Sequence, residues 1–299
     1  MRLNDSDDSP HRPSDNPDWR ESYYFNFVDP AKGISGFTTI GVLPKVNMRE
    51  FVFVLFHGDK REVYYVESRK KFRPNSLKSL SDGHLSYELV EPLMEWRIRF
   101  ASDKMGADIN WKGRFPVYNF GGGSKTSWSD HFEQSGRISG FVSVPGGRMV
   151  KIEGMGQRDK SWGPRDWHIE SWFALHAQFD SLSIALRRDM VDGVVHVSGA
   201  ISNGEKHVAI AKVDLETEFA GGETKIPVRA TTRIHGVDKS CYTLHSSLIS
   251  PTSFVRFARP FPGGSTELFE DMAIHECEEL GVKGTGLIEW LFTHTGKVP

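Results

Sequence analysis

Apolar residues recur at every second position through much of the chain. Met94, Trp96, Ile98 and Phe100 alternate with Glu95, Arg97 and Arg99, and Val213, Leu215, Thr217 and Phe219 alternate with Asp214, Glu216 and Glu218. A two-residue period puts each set of side chains on its own face of a β-strand, so both stretches predict half-buried strands. The same reading predicts strands over 23–28, 37–43, 51–56, 62–67, 106–111, 137–144, 169–179, 182–190, 194–201, 225–234 and 287–293. Turn-forming His57-Gly58-Asp59, Asp192-Gly193, Ser202-Asn203-Gly204 and Gly221-Gly222 separate several of these runs. Pro227 predicts a sheet edge or a bulge, because proline cannot donate to a ladder. Helical periodicity is scarce, and 268–279 is the best helix candidate. On such a helix His275 and Glu276 would lie on a solvated face, the alternative being a base pair in a cavity. Many short strands at roughly 8–12-residue spacing predict an all-β protein of barrel or sandwich type.

The length refines this picture. Single hydrophobic cores stop growing near roughly 250–300 residues, and the chain has 299. Two tandem antiparallel barrel-like lobes are therefore expected, over 19–160 and 161–299, with few helices. The boundary falls in the stretch 155–168, where Gly, Arg, Asp, Trp and Pro crowd together. Residues 1–18 are polar and rich in Asp, Ser and Pro, and are expected to form a disordered tail. They hold no apolar core of signal-peptide length, and no apolar run approaches the ~18 residues that span a bilayer. A cytoplasmic protein without an integral membrane segment is expected. The stretch from Asp18 to Tyr24 opens the folded part and is expected to close a barrel rim.

Composition excludes several function classes. The net charge of −2, from 37 basic and 39 acidic side chains, leaves no footprint for nucleic acid. Two cysteines, Cys241 and Cys277, cannot build a disulfide framework or a cysteine-based zinc site. The 12 His show no metal-ligand spacing, so no metal is expected. Gly121-Gly122-Gly123-Ser124-Lys125-Thr126 lacks the glycine before lysine that a Walker loop needs, and Gly154-Met155-Gly156 lacks the third glycine of a dinucleotide site. No cofactor is expected, and nothing in the sequence sets an oligomeric state. Aromatics reach 12%, with 20 Phe and 8 Trp, which suits a large apolar interior and a small hydrophobic ligand.

Two stretches carry candidate chemistry. In a strand over 169–179 one face holds Ile169, Phe173, Leu175 and Phe179, and the other holds His168, Glu170, Trp172, His176 and Gln178. That second face is either a wet outer surface with one covered Trp or a pocket wall with orienting polar groups. The fourteen residues from Gly154 to Trp167 contain Arg158, Asp159, Trp162, Arg165, Asp166 and Trp167. Arg and Asp this close suggest bidentate pairing, and Trp beside Arg suggests stacking. The stretch is either a buried salt-bridge knot or the seat of a carboxyl group desolvated by tryptophans and able to donate a proton.

At these residues the chain resembles a known family. The run Gly154 to Trp167, the upstream His131-Phe132-Glu133-Gln134-Ser135-Gly136 and the closing Gly284 to Trp290 are similar to the lipocalin-like superfamily of carotenoid 1,2-hydratase, AttH-type bacterial proteins, fungal survival-factor proteins and fungal decalin-forming cyclases. They look most like an uncharacterised bacterial branch. The resemblance spans about residues 18–299 and implies two lipocalin-like barrels around an apolar cavity. In the carotenoid hydratases the motif reads Asp-His-Asn-Trp-Gly. Asp159, Trp162 and Gly163 match it, whereas Lys160 and Ser161 replace its His and Asn. A second acid of that family falls at a place compatible with Asp189.

The resemblance implies a cofactor-independent enzyme acting on an isoprenoid- or polyketide-like substrate by acid-assisted hydration, isomerisation or cyclisation. Asp159, Asp166 and Asp189 are the candidate acids. Trp162, Trp167, Trp172, His168, Glu170, His176, Arg158 and Arg165 are the candidate substrate contacts. Lys160 cannot replace a neutral imidazole without a large fall in its pKa. That departure keeps a second reading open, a non-catalytic carrier of a lipid-like ligand.

Overall fold

A computed structural model describes residues 3–121, 128–165, 167, 169–204, 206–221 and 226–295. The alternating stretches become strands throughout, and the chain divides into two units, Met1–Asp166 and Trp167–Pro299. Among the described residues the helical pieces are short 3-10 turns. No helix there is long and apolar enough to cross a membrane.

The first unit is one antiparallel sheet. Its strands are β1 (Trp19–Asp29), β2 (Ile34–Leu43), β3 (Met48–His57), β4 (Lys60–Ser68), β5 (Leu85–Glu91), β6 (Glu95–Ala101), β7 (Gly106–Gly113), β8 (Tyr118–Asn119), β9 (Asp130–Val144) and β10 (Arg148–Pro164). Neighbours run β4-β3-β2-β1-β10-β9-β7-β6-β5, with β8 added to β9. The sheet curls into a half-barrel around Tyr23, Phe25, Phe53, Trp96, Phe100 and Trp111. Phe25 packs edge-on against Tyr87 at 5.1 Å, and Phe53 stacks on Phe100 at 4.5 Å. Each such burial stabilises by about 1.5–3 kcal/mol.

Two expectations are corrected here. β1 is a central strand between β2 and β10, buried along its whole length, and closes no rim. Residues 3–18 are not a disordered tail. They carry a 3-10 turn, Asp5–Asp8, capped by Asn4, with Asp7 and Asp8 buried. A polar composition would leave a segment in water only if its charges found no partner inside, and these do.

The second unit contains β11 (Ser171–Gln178), β12 (Ser183–Val191), β13 (Val194–Asn203), β14 (Lys206–Ala220), β15 (Ile226–Gly236), β16 (Cys241–Leu248), β17 (Phe254–Phe261), β18 (Gly264–Cys277) and β19 (Val282–Thr295). Their order is β16-β15-β14-β13-β12-β11-β19-β18-β17, and a further pairing of β16 with β18 closes an eight-stranded barrel. The all-β, lipocalin-like reading therefore holds, with one closed barrel and one half-barrel. The expected turn Asp192-Gly193 joins β12 to β13, both residues with positive φ (51° and 72°), as a two-residue hairpin requires. Pro227 sits at a register shift between β14 and β15.

The helix expected over 268–279 is instead most of β18. Its residues read plausibly at helical spacing, but β18 pairs with β17 over its first half and β16 over its second, as well as with β19 along its length. Those ladders override local propensity. β19 crosses β11 so closely that a Cβ at Gly286 would lie 1.7 Å from the His176 carbonyl oxygen. Gly286→Ala is thus expected to cost about 2–3 kcal/mol, read as a lower urea midpoint. A change below about 0.5 kcal/mol, the range of neutral surface substitutions, would show that the crossing can relax.

Candidate functional site

β10 carries the motif stretch into the first unit, and alternation sorts its side chains. Arg158 and Lys160 point to the core side, whereas Asp159 points to the other face, where it is partly buried. Arg158 is therefore not bridged to its sequence neighbour. Its Nη1 lies 2.6 Å from Asp8, its Nε donates to Gln134 at 2.9 Å, and its guanidinium stands 5.3 Å from the Trp111 ring. Lys160 is fully buried 2.5 Å from Glu21 and 4.7 Å from the Trp162 ring. His11 stacks on Trp162 at 3.9 Å, and its Nδ1 lies 2.9 Å from Glu21. Burial pushes the Glu21 carboxyl up, but Lys160 and His11 outweigh burial and hold it below the ordinary glutamate value. Arg165 donates to Ser161 at 2.6 Å. Asp166 and His168 lie outside the described residues.

In the second unit, Trp172, His176 and Gln178 are buried on the face of β11 that turns away from the barrel core. The Arg187 guanidinium stacks 3.9 Å over Trp172 and donates to Asp189 at 2.7 Å. The Trp172 indole donates to Glu289 at 2.6 Å, and Trp167 lies 5.7 Å away. Glu170 does not join them: it is exposed and accepts from the Gly193 amide. Trp167, Trp172 and Asp189 are thus one cluster, while Arg158 and Trp162 belong to another in the first unit.

The closed barrel holds groups that the sequence reading missed. On β18 the side chains of Phe269, Asp271, Ala273, His275 and Cys277 share one face, and Phe269, Ala273 and Cys277 belong to the barrel core. Asp271 and His275 therefore face the interior. Asp271 is fully buried, with Ile288 and Phe254 as its cross-strand neighbours. Among the described residues neither of its carboxyl oxygens has a hydrogen-bond partner. Burial pushes this carboxyl well above the ordinary carboxylate range, and the nearby Glu289 charge adds to the shift. The neutral acid is the favoured form. His275 is corrected from a helix face to the barrel interior. Its Nδ1 lies 2.8 Å from Ser246 Oγ, and its Nε2 faces the His176 main chain without ordinary hydrogen-bond geometry. Burial lowers the imidazole to about 3, so it is neutral. Thr232 faces the same interior, fully buried, and its hydroxyl has no partner among the described residues.

An unpartnered buried polar group costs about 1–3 kcal/mol, so native interiors hold few of them without a reason. Here an acid that burial favours as neutral shares a strand face with Phe269, in a barrel whose core includes Phe173 and Trp290, 5.5 Å apart. Such an arrangement can donate a proton to an apolar ligand and stabilise positive charge that develops beside the rings. The signal was present in the sequence as Phe269-x-Asp271-x-Ala273-x-His275-x-Cys277, but a helical reading scatters these residues around an axis. No group of acidic, His and Cys side chains suited to a metal ion occurs among the described residues.

Comparisons with known proteins agree on the fold. A family model described as "Domain of unknown function (DUF7064)" matches residues 4–293. No curated protein matches by sequence. Among solved structures, a candidate AttH protein from Nitrosomonas europaea superimposes with a TM-score of 0.67 at 12% identity, covering 94% of this chain and 97% of that one. Kievitone hydratase from Nectria haematococca gives 0.67 at 12%, covering 91% and 88%. CghA with Sch210972 gives 0.63 at 10%, covering 94% and 89%. These likenesses show the lipocalin-like fold that the resemblance implied.

The Asp271 carboxyl makes a prediction about stability. Its folded pKa is raised above the ordinary 3.8, so it favours folding only below that value and opposes folding increasingly as pH rises above it. Asp271→Asn is accordingly expected to raise Tm by several degrees at pH 7, with the gain shrinking towards pH 4. Thermal melts of both proteins across that range check this, and a lower Tm for the variant at pH 7 would contradict it.

Proposed function

The chain belongs to the DUF7064 family, and we propose that it is a cofactor-independent enzyme that protonates a hydrophobic, isoprenoid- or polyketide-like substrate at Asp271 inside the closed barrel. The observation that carries this reading is a fully buried carboxyl group without a hydrogen-bond partner among the described residues, held neutral by burial in the barrel interior. Protonating an alkene requires a group that still carries its proton, in a site that excludes water, and an ion-paired carboxylate does not carry one. Asp189, committed to Arg187, is therefore the weaker candidate. Asp159 and Asp166 remain in the test as alternatives.

In the proposed reaction the Asp271 proton passes to one alkene carbon and the cation forms on the other. Trp290, Phe173 and Phe269 belong to the core of the same barrel, and a ring face turned to that cation is worth about 2 kcal/mol or more when desolvated. Water then adds to the cation and returns a proton to the Asp271 carboxylate, giving hydration. Loss of a neighbouring proton to the same carboxylate gives isomerisation, and attack by a second alkene before that loss gives cyclisation. A hydratase among proteins of the same fold is compatible with the first outcome.

A non-catalytic carrier is the second reading. It is favoured by the pairing of Asp189 with Arg187, which leaves that sequence-nominated acid committed to a structural contact.

The test is organic extraction of the purified protein, mass spectrometry of what is released, and incubation of that compound with protein in heavy water. Gain of one carbon-bound deuterium per turnover is expected. Asp271→Asn should slow it by at least about 100-fold, the usual contribution of a general acid, while Asp159→Asn and Asp189→Asn stay within about tenfold. Turnover that survives Asp271→Asn would move the acid elsewhere. Saturable binding without deuterium gain would establish the carrier.

A further inference from the structure

The first unit holds a second set of groups that the proposed reaction does not use. The Asp8 carboxylate is wholly buried and receives three donors of different kinds: Arg158 Nη1 at 2.6 Å, the Leu93 amide at 2.6 Å and the Trp96 indole Nε1 at 3.2 Å. β10 and β6 set Arg158 and Trp96 in place, and the turn between β5 and β6 sets the Leu93 amide. Arg158 lies on β10 between the Trp111 and Phe132 rings, 5.3 and 5.1 Å from its guanidinium. Its Nε is held by Gln134, whose own amide is fixed at 2.9 Å by the Leu93 and Phe115 carbonyls. Its Nη2, also buried, has no partner among the described residues. A guanidinium, an amide and an indole converging on one point make a preorganised carboxylate receptor.

The residues that fill this receptor are held differently. Among the described residues, the bonds from main chain to main chain in 4–16 are local: Asp7 to Asn4, Ser9 to Ser6 and Trp19 to Asn16. The segment docks on the sheet through side chains and one main-chain donor, the His11 amide, which gives its hydrogen bond to the Glu21 carboxylate at 2.9 Å. Leu3 packs against the cluster of Trp19, Phe132 and Trp162, Asp8 enters the receptor, and His11 stacks on Trp162 beside Glu21. Residues 12–18 are then largely exposed as the chain passes into β1. A segment without ladder bonds opens at low free energy compared with strands.

We propose that this end of the first sheet is a carboxylate-binding site and that residues 3–11 are its tethered occupant. The ligand class is a carboxylate on a short stem with apolar surface beside it, supplied in cis by Asp8 and open to a free carboxylate when Asp8 is removed. The site is independent of Asp271 and of the reaction assigned to the barrel.

Full-length Asp8→Ala is the test, melted in sodium formate and in sodium chloride of equal ionic strength. Formate should raise its Tm by several degrees with single-site saturation. Wild type, whose receptor is filled, should not respond, nor should the Asp8→Ala/Arg158→Met double variant. A variant indifferent to formate, or a wild type that responds as strongly, would overturn the proposal. Where Asp8→Ala is recovered only as insoluble protein, it is refolded from urea in the two salts. Recovery in formate alone supports the receptor, and failure in both overturns it.

Discussion

Taking a charge out of water costs several kcal/mol per ion even after relaxation, and both units place charged residues where water does not reach. On β10 the first unit points Arg158 and Lys160 towards its core two residues apart. Neither is tolerable alone. Asp8 answers the first and Glu21 the second, with Gln134 and His11 completing the donors and acceptors. The path of the N-terminal segment across the sheet follows from that requirement, and so does the depressed pKa of Glu21.

The second unit meets the same cost by a different route. Among the described residues no cation pairs with Asp271, and the Glu289 charge pushes its carboxyl up further. Keeping the proton is then the cheaper solution, just as His275 stays neutral by refusing one. A charge neutralised by a partner is fixed in place and chemically quiet. A charge neutralised by a proton stores that proton in a buried interior. This difference separates a framework from a reactive group more clearly than residue type does, since both units use aspartate.

The β architecture makes the contrast possible. A strand shows alternate residues to one side, so β10 can present Arg158 and Lys160 inward while Asp159 points away, and β18 can hold Asp271 and His275 in line with Phe269, Ala273 and Cys277. Long strands serve more than one neighbour: β18 pairs with β17, β16 and β19, and its pairing with β16 closes the barrel around the acid. Closure leaves that part of the sheet without free edges and secures the interior in which a neutral carboxyl persists.

Local pattern alone determined the all-β class, most strand positions, the Asp192-Gly193 hairpin and the irregularity at Pro227, because each depends on residues within one or two turns of chain. The crowding of Arg, Asp and Trp between Gly154 and Trp167 was visible too, as was its likeness to lipocalin-like proteins. What stood outside local reach was pairing. Arg158 finds its carboxylate at Asp8, 150 residues away in sequence, and not at adjacent Asp159. The stretch 268–279 has a composition that either secondary structure accepts, and only its three strand partners made it β18. Burial by those partners then pushed the Asp271 carboxyl well above the ordinary carboxylate range. Desolvation depends on what surrounds a group in space, so it is decided by the tertiary structure.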